Sequence, residues 1–210
     1  MNQSRHSSHD IRTAPTTRAS ATLPFNAHMH RVIEPVLALP TGAEILDAGC
    51  GGGAVARWLA TQGRHHVLGI DLDLDLPDHA QTDGPQALPG GGTLELRHAD
   101  LMSFHRDRLH DGILLLGVLH YAGSADAVRR MVAAADALGT PGSPLALSWI
   151  CDEVPLTYED AYLPGRGLVE AALATLGRTA VTVWTRDVTH THGGSPEHDH
   201  RIVYGIWLRP

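Results

Sequence analysis

The chain has 210 residues, a length typical of one domain, and its 43% hydrophobic and 19% charged residues are typical of a soluble globular protein. With 16 basic and 23 acidic residues its formal net charge is −7, which argues against nucleic acid as a partner. Two cysteines are too few for a disulfide framework and no apolar run is long enough to span a membrane, so we expect a cytoplasmic protein. We expect it to be a monomer or a homodimer.

The first half of the chain alternates short apolar strands with helices. Residues 1–22 are rich in Ser, Thr, Arg and His, and we expect a disordered tail ahead of a single domain over 23–210. Helical spacing of apolar residues predicts a helix from Phe25 to Leu39, which Pro35 should kink or split. Further elements are predicted as a strand at 43–49, a helix at 54–60 and a strand at 66–71.

The segment 72–92 interrupts this alternation, since it has no helical period and several prolines and glycines; we interpret it as a poorly formed helix or loop. Beyond it, strands are predicted at 94–100, 113–119 and 144–150, with helices at 125–138 and 167–176. Two β-rich runs, 180–188 and 201–209, follow without a helix between them. The sequence therefore predicts a Rossmann-like α/β fold: a seven-stranded, mostly parallel sheet with a C-terminal antiparallel hairpin and helices on both faces.

A glycine-rich turn, Asp47-Ala48-Gly49-Cys50-Gly51-Gly52-Gly53, lies between the first strand and the next helix. Glycines allow a ligand to approach the backbone closely, and the start of a helix offers free N–H groups. Two acids, Asp71 and Asp100, close the second and third predicted strands. Because the carboxyl ends of parallel strands meet at one rim of the sheet, we expect the turn and both acids to form one ligand site.

Two kinds of cofactor fit this turn. A nicotinamide dinucleotide site requires Gly-x-Gly-x-x-Gly/Ala with an acid about twenty residues later, and Gly49, Gly51, Ala54 and Asp71 satisfy that pattern. Asp47 argues against it, because its carboxylate would repel a pyrophosphate and attract an ammonium group. We therefore favour a cofactor that carries an ammonium group, and an NAD(P)-dependent oxidoreductase is the alternative.

The chain resembles class I S-adenosylmethionine-dependent methyltransferases of the small bacterial type, the methyltransferase types 11 and 12. Residues 44–53 resemble their first motif, 69–71 the second, 98–101 the third and 111–121 the fourth. The resemblance extends over roughly Phe25 to Leu208. It implies an enzyme that transfers a methyl group from S-adenosylmethionine to a small-molecule acceptor, at an oxygen, nitrogen or carbon atom that the sequence leaves open.

The resemblance also implies roles for individual residues around the methyl donor. The aminocarboxypropyl arm would contact Asp47, Gly49, Gly51 and Gly53. The ribose would be held by Asp71, the adenine by Asp100 and the Leu101 amide, and the donor would meet the backbone of Gly117. Residues 26–31 resemble an Asn-x-His-Tyr-His segment, with Met29 in place of the tyrosine, and this likeness implies donor contacts for His28 and His30.

Candidates for the acceptor side are less well defined. His120 and Tyr121 follow the strand at 113–119, so one of them could act as a general base, although side chains there often only shape the pocket. For Asp71, the alternative to the ribose contact described above is a solvated acid like Asp73. We expect the first helix and residues 151–164 to cover the pocket, and the candidate substrate contacts are Trp149, Asp152, Glu153, Tyr158 and Tyr162.

The last loop, residues 189–200, contains two His-x-His pairs, formed by His190 with His192 and by His198 with His200. Imidazoles bind zinc, nickel or copper, and residues i and i+2 of a strand share a face, so a metal site is one interpretation. We favour the other, a polar hairpin loop without metal. The remaining alternative to an enzyme is a donor-binding or metal-responsive protein without turnover.

Overall fold

A computed structural model describes residues 25–73, 82, 84–151, 162–190 and 197–209 of the chain. The tail predicted at 1–22 lies outside these residues, as do Asp152, Glu153, Tyr158 and His192. None of the helices in these ranges is both long enough and apolar enough to cross a membrane.

The described strands form one sheet. They are β1 (Glu44–Ala48), β2 (His66–Asp71), β3 (Gln86–Ala87), β4 (Thr93–His98), β5 (Gly112–Leu116), β6 (Pro144–Ile150), β7 (Thr179–His190) and β8 (His198–Leu208), in the order β3-β4-β2-β1-β5-β6-β8-β7. The five central strands, from β4 to β6, are parallel, whereas β8 is antiparallel to both β6 and β7. This confirms the mostly parallel sheet and the terminal hairpin.

The described helices are α1 (Ala27–Leu37), α2 (Ala54–Gln62), α3 (Ala125–Ala137) and α4 (Arg166–Thr175), with a short 3-10 helix at Leu119–Tyr121. The Asn26 side chain caps α1 by accepting hydrogen bonds from the amides of His28 and Met29. The expectation that Pro35 splits this helix is wrong. Pro35 lies in the last turn of α1, where only two helical residues follow it.

Both faces of the sheet are covered by helices. The side chains of Val32, Ile33 and Leu59 from α1 and α2 pack in one core cluster with alternate strand residues such as Ile45. On the other face, α3 and α4 contribute to a second core cluster that contains Leu46. Successive residues of β1 therefore point to opposite cores, as the alternation of side chains along a strand requires.

The edge strand β3 is the main departure from the predicted seven strands. The chain turns at Leu88, whose amide donates to the carbonyl of Gly92 (2.8 Å), and folds Gln86 and Ala87 back against β4. Thr82 strengthens this edge, because its hydroxyl oxygen accepts from the Leu96 amide at 2.9 Å. Part of the segment 72–92 is thus a short strand, and two residues are too few to show a strand periodicity in the sequence.

The hairpin of β7 and β8 extends further than β6, the strand with which β8 pairs. The last pair between β6 and β8 is Ile150 with Ile202, whereas β8 begins four residues earlier, at His198. Those four residues pair with β7, in a register that ends with His190 opposite His198, and the Arg201 carbonyl also accepts from the Cys151 amide at 3.0 Å. The hairpin therefore extends beyond the carboxyl end of β6, on the rim where ligands bind in open α/β sheets.

Candidate functional site

The glycine turn is held in a conformation that requires glycine at three positions. Gly49, Gly51 and Gly53 have φ values of 77°, 48° and 68°, in the left-handed region. The amides of Gly49 and Cys50 both donate to the carbonyl of Ile70 on β2, at 2.7 and 3.0 Å. A Cβ on Gly49 would collide with the Val118 side chain, whereas Gly51 faces open space. The turn therefore presents bare backbone at the end of β1.

Asp71, at the end of β2, is fixed by the backbone around it. One carboxylate oxygen accepts from the Gly51 amide at 2.7 Å, and the other accepts from the Asp73 amide at 3.0 Å. A carboxylate offers about four lone-pair positions, so both oxygens keep acceptor capacity for further donors. Asp71 is thus a positioned acceptor beside the glycine turn, unlike a freely solvated acid.

Asp47 is buried in the same corner, with 1% of its surface exposed. Burial, and next the Asp71 carboxylate, raise its pKa from 3.8 to about 7. Its Oδ2 atom has no hydrogen-bond partner among the described residues. Such a group is costly to bury alone, and a ligand ammonium would satisfy it. The chemistry of Asp47 therefore fits a cofactor that carries a positive charge.

A cavity of about 610 Å³ opens beside these acids, a size suited to a cofactor or small ligand. The residues predicted for the site that line this cavity are Gly49, Gly51, Asp71, Asp100, Leu101, Gly117 and Tyr121. Gly117 adopts a left-handed φ of 71°, and its amide donates to the carbonyl of Ser148 on β6 at 2.8 Å. The ends of β1, β2, β4 and β5 thus converge on one cavity.

Several lining residues were not predicted from the sequence. Ile70, Leu72, Asp73, Ala99, Val118 and Met131 also border the cavity. All except Met131 lie next to a predicted site residue along the chain or within two positions of one, so adjacency to the motifs was the available signal. Met131 is on α3, and its contribution depends on how that helix packs on the sheet.

The two histidines of the first helix have other partners. The Nδ1 atom of His28 accepts the indole N–H of Trp184 at 3.0 Å, and its ring lies 5.7 Å from the ring of Tyr204. The ring of His30 stands edge-on to Trp58, at 5.5 Å. Neither histidine lines the cavity, so their donor contacts stay a prediction. They attach α1 to α2 and to the terminal hairpin instead.

Gly53 is also outside the cavity lining. It is the residue before α2, and a Cβ there would come within 2.8 Å of the Leu96 side chain. Its left-handed backbone and its close approach to β4 account for the glycine. Burial, and next the carboxylates of Asp47 and Asp71, raise the pKa of the Cys50 thiol, which disfavours the reactive thiolate.

His120 and Tyr121 occupy different environments. Tyr121 is 73% exposed and lines the cavity, whereas His120 is 7% exposed and is not among the lining residues. The two rings are 4.2 Å apart, centroid to centroid. Of the two candidates for a general base, only Tyr121 is therefore positioned to touch a ligand in this cavity, and His120 lies behind it.

Trp149 is not a substrate contact. Its side chain is fully buried, its indole N–H donates to the carbonyl of Pro164 at 3.0 Å, and it packs 6.3 Å from Trp207. Residues of β6 are covered on both faces of the sheet, which explains why a large aromatic residue near the rim became part of the core. Tyr162 packs against the same core.

The strand order, the glycine turn that follows Asp47 and the acids that end β2 and β4 define a class I methyltransferase fold. The family described as "Methyltransferase domain" matches residues 45–142. This match covers just under half of the chain, and it agrees with the resemblance to class I methyltransferases that the motifs predicted.

The chain is 29% identical over 111 residues to a ubiquinone biosynthesis O-methyltransferase of Rickettsia conorii, an alignment that covers 53% of this chain and 36% of the relative. Among solved structures, it is similar to a SAM-dependent methyltransferase of Methanosarcina mazei (TM-score 0.65, 16% identity, 88% and 98% of the two chains). It is also similar to the N-methyltransferase NodS of Bradyrhizobium japonicum with S-adenosyl-L-homocysteine (TM-score 0.62, 19% identity, 89% and 88%).

Proposed function

We propose that this protein transfers a methyl group from S-adenosylmethionine to a small-molecule acceptor in the cytoplasm. The observation that carries the proposal is the buried Asp47 carboxylate, one oxygen of which has no hydrogen-bond partner among the described residues. It lies beside the cavity at which four strands end. A cavity of about 610 Å³ leaves space for a small acceptor. A net charge of −7 supports the exclusion of nucleic acid.

The residues in and beside the cavity would each hold a different part of the donor. Asp47 is buried next to the glycine turn and is not among the lining residues; it would pair with the ammonium group, and Asp71, which lines the cavity, with the ribose hydroxyls. Asp100 and the Leu101 amide would meet the adenine, and Gly117 would approach through its backbone. S-adenosylmethionine supplies an electrophilic methyl group on a positively charged sulfur. The protein's contribution is to align the reactants and to exclude water, because the positive charge disappears during the transfer.

A base is needed only where the acceptor keeps its proton at neutral pH. Tyr121 touches the cavity, and its hydroxyl can donate to or accept from an acceptor group. The His120 imidazole lies 4.2 Å away between ring centroids, and histidine is the side chain that most often acts as a general base. We therefore keep both as the proposed catalytic residues, with Tyr121 in contact and His120 behind it.

The alternative of an NAD(P)-dependent oxidoreductase is disfavoured by Asp47, because a buried carboxylate would repel a pyrophosphate. Calorimetry separates the two: we expect S-adenosylmethionine and S-adenosylhomocysteine to bind the wild type, and NAD to show no binding at the same concentrations. Asp47→Asn should weaken binding of both sulfur ligands. Binding of NAD in preference to them would support the oxidoreductase.

Turnover distinguishes an enzyme from a protein that only binds the donor. The purified chain is incubated with a small-molecule extract and donor labelled in its methyl group, and products are identified by mass spectrometry. We expect at least one labelled product that is missing with Asp47→Asn. Tight donor binding with no labelled product across extracts would favour the non-catalytic alternative.

A further inference from the structure

Tyr121 places an aromatic ring in the open at the cofactor cavity. The residue is 73% exposed and lines the cavity. The other aromatic side chains among the residues that the structure describes are half-buried or buried. A large apolar group left exposed beside a ligand cavity marks a surface that a ligand or a partner covers. Tyr121 is therefore a candidate contact for the molecule that enters the cavity beside the donor.

The backbone around Tyr121 holds its ring in place. Tyr121 ends the short 3-10 helix, and its amide donates to the carbonyl of Val118 at 3.0 Å. Glycines with left-handed backbones flank this turn on both sides, Gly117 with a φ of 71° and Gly123 with a φ of 72°. The buried ring of His120 supports the ring of Tyr121, at 4.2 Å between centroids. The exposed ring is thus a preorganised surface.

The lining of the cavity divides into an acidic half and an apolar half. The ends of β2 and β4 and the residues just after them, on one side of β1, contribute Asp71, Asp73 and Asp100. On the other side of β1, the segment after β5 and helix α3 contribute Val118, Tyr121 and Met131. The proposed contacts with the ribose and the adenine use the acidic half. The apolar half is therefore the part of the cavity that is left for the acceptor.

The charges of the lining select against an anionic acceptor. Among the described residues that line the cavity, the charged side chains are the three carboxylates of the acidic half, and none is an arginine or a histidine. An anion beside these groups would be repelled, with no cationic side chain in the described lining to offset the repulsion. A neutral or positively charged acceptor meets no such cost.

A planar ring matches the chemistry of the apolar half. The face of the Tyr121 ring carries partial negative charge, which attracts the positive edge of a second aromatic ring or a cationic group. Paired aromatic rings gain free energy beyond the area that they bury, whereas an aliphatic chain gains only the burial. The thioether of Met131, in the same half, also makes favourable contacts with the edges of aromatic rings.

We propose that Tyr121 is a specificity-determining residue that stacks on the acceptor, and that the acceptor is a planar aromatic or heteroaromatic ring without negative charge. The ring of Tyr121 provides this contact and its hydroxyl group does not, so acceptor binding can be separated by mutation from any role of the hydroxyl in proton transfer. The inference rests on the proposed methyl transfer and narrows the class of its acceptor.

The first experiment identifies the product. A small-molecule extract is separated by ion exchange at neutral pH into cationic, neutral and anionic fractions, and each is incubated with the wild type and donor labelled in its methyl group. We expect the most abundant labelled product to come from the cationic or the neutral fraction, and its mass and ultraviolet absorption to show an aromatic ring. A most abundant product that is aliphatic, or that comes from the anionic fraction, would overturn the inference and leave methyl transfer intact.

Variants of Tyr121 then separate the ring from the hydroxyl, with the precursor of that product as the substrate. Tyr121→Phe keeps the ring, so KM should stay close to the wild-type value whatever happens to kcat. Tyr121→Leu keeps an apolar side chain without a ring, and KM should rise by about tenfold, the size of a lost contact between aromatic rings. Val181→Ala trims an exposed apolar side chain outside the cavity lining and should leave KM unchanged.

An unchanged KM in Tyr121→Leu, or an equal rise in both Tyr121 variants, overturns the stacking role. S-adenosylhomocysteine binding verifies that each variant is folded, and it also distinguishes the two levels of failure. A wild type that binds S-adenosylhomocysteine and forms no labelled product from any fraction would contradict the proposed function itself. Labelled product of the wrong class would contradict only the inference about the acceptor.

Discussion

Two buried carboxylates near opposite rims of the sheet, Asp136 and Asp47, differ in whether the protein pairs them with cationic side chains. Asp136, near the start of β6, is 3% exposed, and Asp47, near the end of β1, is 1% exposed. Asp136 accepts from Arg178 at 2.5 Å and also from Arg209. Asp47 has no ion pair among the described residues, and one of its oxygens has no hydrogen-bond partner there.

Both carboxylate oxygens of Asp136 are paired within the protein, one with Arg178 and the other with Arg209. The Arg178 guanidinium also donates to the carbonyls of Ser143 and Trp207, at 2.7 and 3.3 Å, and so joins the end of α3 to β6 and β8. A buried carboxylate with its own cations is a structural element. A buried carboxylate without cationic side chains, at the rim where ligands bind, indicates a binding site for a positively charged ligand. Asp136 is thus a structural residue, and Asp47 is a candidate binding residue.

The largest expected effect is a loss of unfolding free energy when Asp136, the paired carboxylate, is removed. Asp136→Ala leaves the fully buried Arg178 guanidinium without a carboxylate, and breaking such a pair costs about 3–5 kcal/mol of unfolding free energy. Urea unfolding measures this loss. The folded fraction should bind S-adenosylhomocysteine as the wild type does, because the network is far from the cavity. A loss below about 1 kcal/mol, the range of exposed pairs, would contradict the structural assignment.

The stability of the ligand-free protein should depend on pH through Asp47. Its pKa is 3.8 unfolded and about 7 folded, so the folded state binds the proton more tightly between these values. Stability from this group is therefore complete below about pH 4 and is lost as the pH rises to 7, by up to about 4 kcal/mol. Asp47→Asn should remove that loss.

Urea unfolding of the wild type and Asp47→Asn at pH 5 and pH 8 isolates this contribution, because the difference between the two proteins cancels the titration of the histidines. We expect the variant to gain stability relative to the wild type as the pH rises. Parallel pH dependences would mean that Asp47 is ionised in the folded protein at both pH values.

Asp47→Asn should weaken donor binding, although it stabilises the ligand-free protein at high pH. Asp47→Asn removes the charge that pairs with the donor ammonium, and we expect affinity for S-adenosylmethionine to fall by about 3 kcal/mol at pH 8, a typical loss for a buried charge pair. In the wild type, affinity should fall about tenfold per pH unit below pH 7, because Asp47 must lose its proton to pair. Calorimetry across pH measures both, and a flat wild-type profile would contradict the role of Asp47.

The sequence predicted that the glycine turn, Asp71 and Asp100 lie together, and they border one cavity, because each is defined by a local pattern in the chain. The glycine turn, Asp71 and Asp100 each end a strand, and parallel strands bring such ends together whatever the details of packing. The contact of His28 with Trp184 was not predicted, because the two residues are 156 positions apart and no local pattern reveals such a contact. Trp149 was misplaced because burial on both faces of β6 depends on what covers the sheet.

The pair formed by His198 and His200 falls between these cases. The His-x-His spacing predicts that both side chains share a face, and the structure shows them in contact at 2.7 Å. Their burial and their position beyond the end of β6 depend on the lengths of two paired strands. Those lengths exceed the predicted runs at 180–188 and 201–209, because polar residues at the hairpin end continue the ladder.

Asp71→Ala should weaken donor binding by about 1.5–3 kcal/mol, the range for a lost charge-assisted hydrogen bond. Part of this loss comes from the Gly51 amide, which gives up its acceptor and loosens the glycine turn. Asp71→Asn keeps one oxygen for that amide and is the matched control, so it should lose less. Affinity unchanged in the alanine variant would leave Asp71 without a ligand role.

The smallest expected effect returns to the structural carboxylate. Arg209 is the outer partner of Asp136 and its side chain is 32% exposed, whereas the Arg178 side chain is 0% exposed. Arg209→Gln leaves Asp136 paired with Arg178, and exposed ion pairs contribute at most about 1 kcal/mol, so the loss of unfolding free energy should stay within that limit. Donor affinity should not change. Urea unfolding beside Asp136→Ala tests this directly. A loss as large as that of Asp136→Ala would mean that Asp136 needs both cations, and that the exposed Arg209 stabilises it as much as the buried Arg178 does.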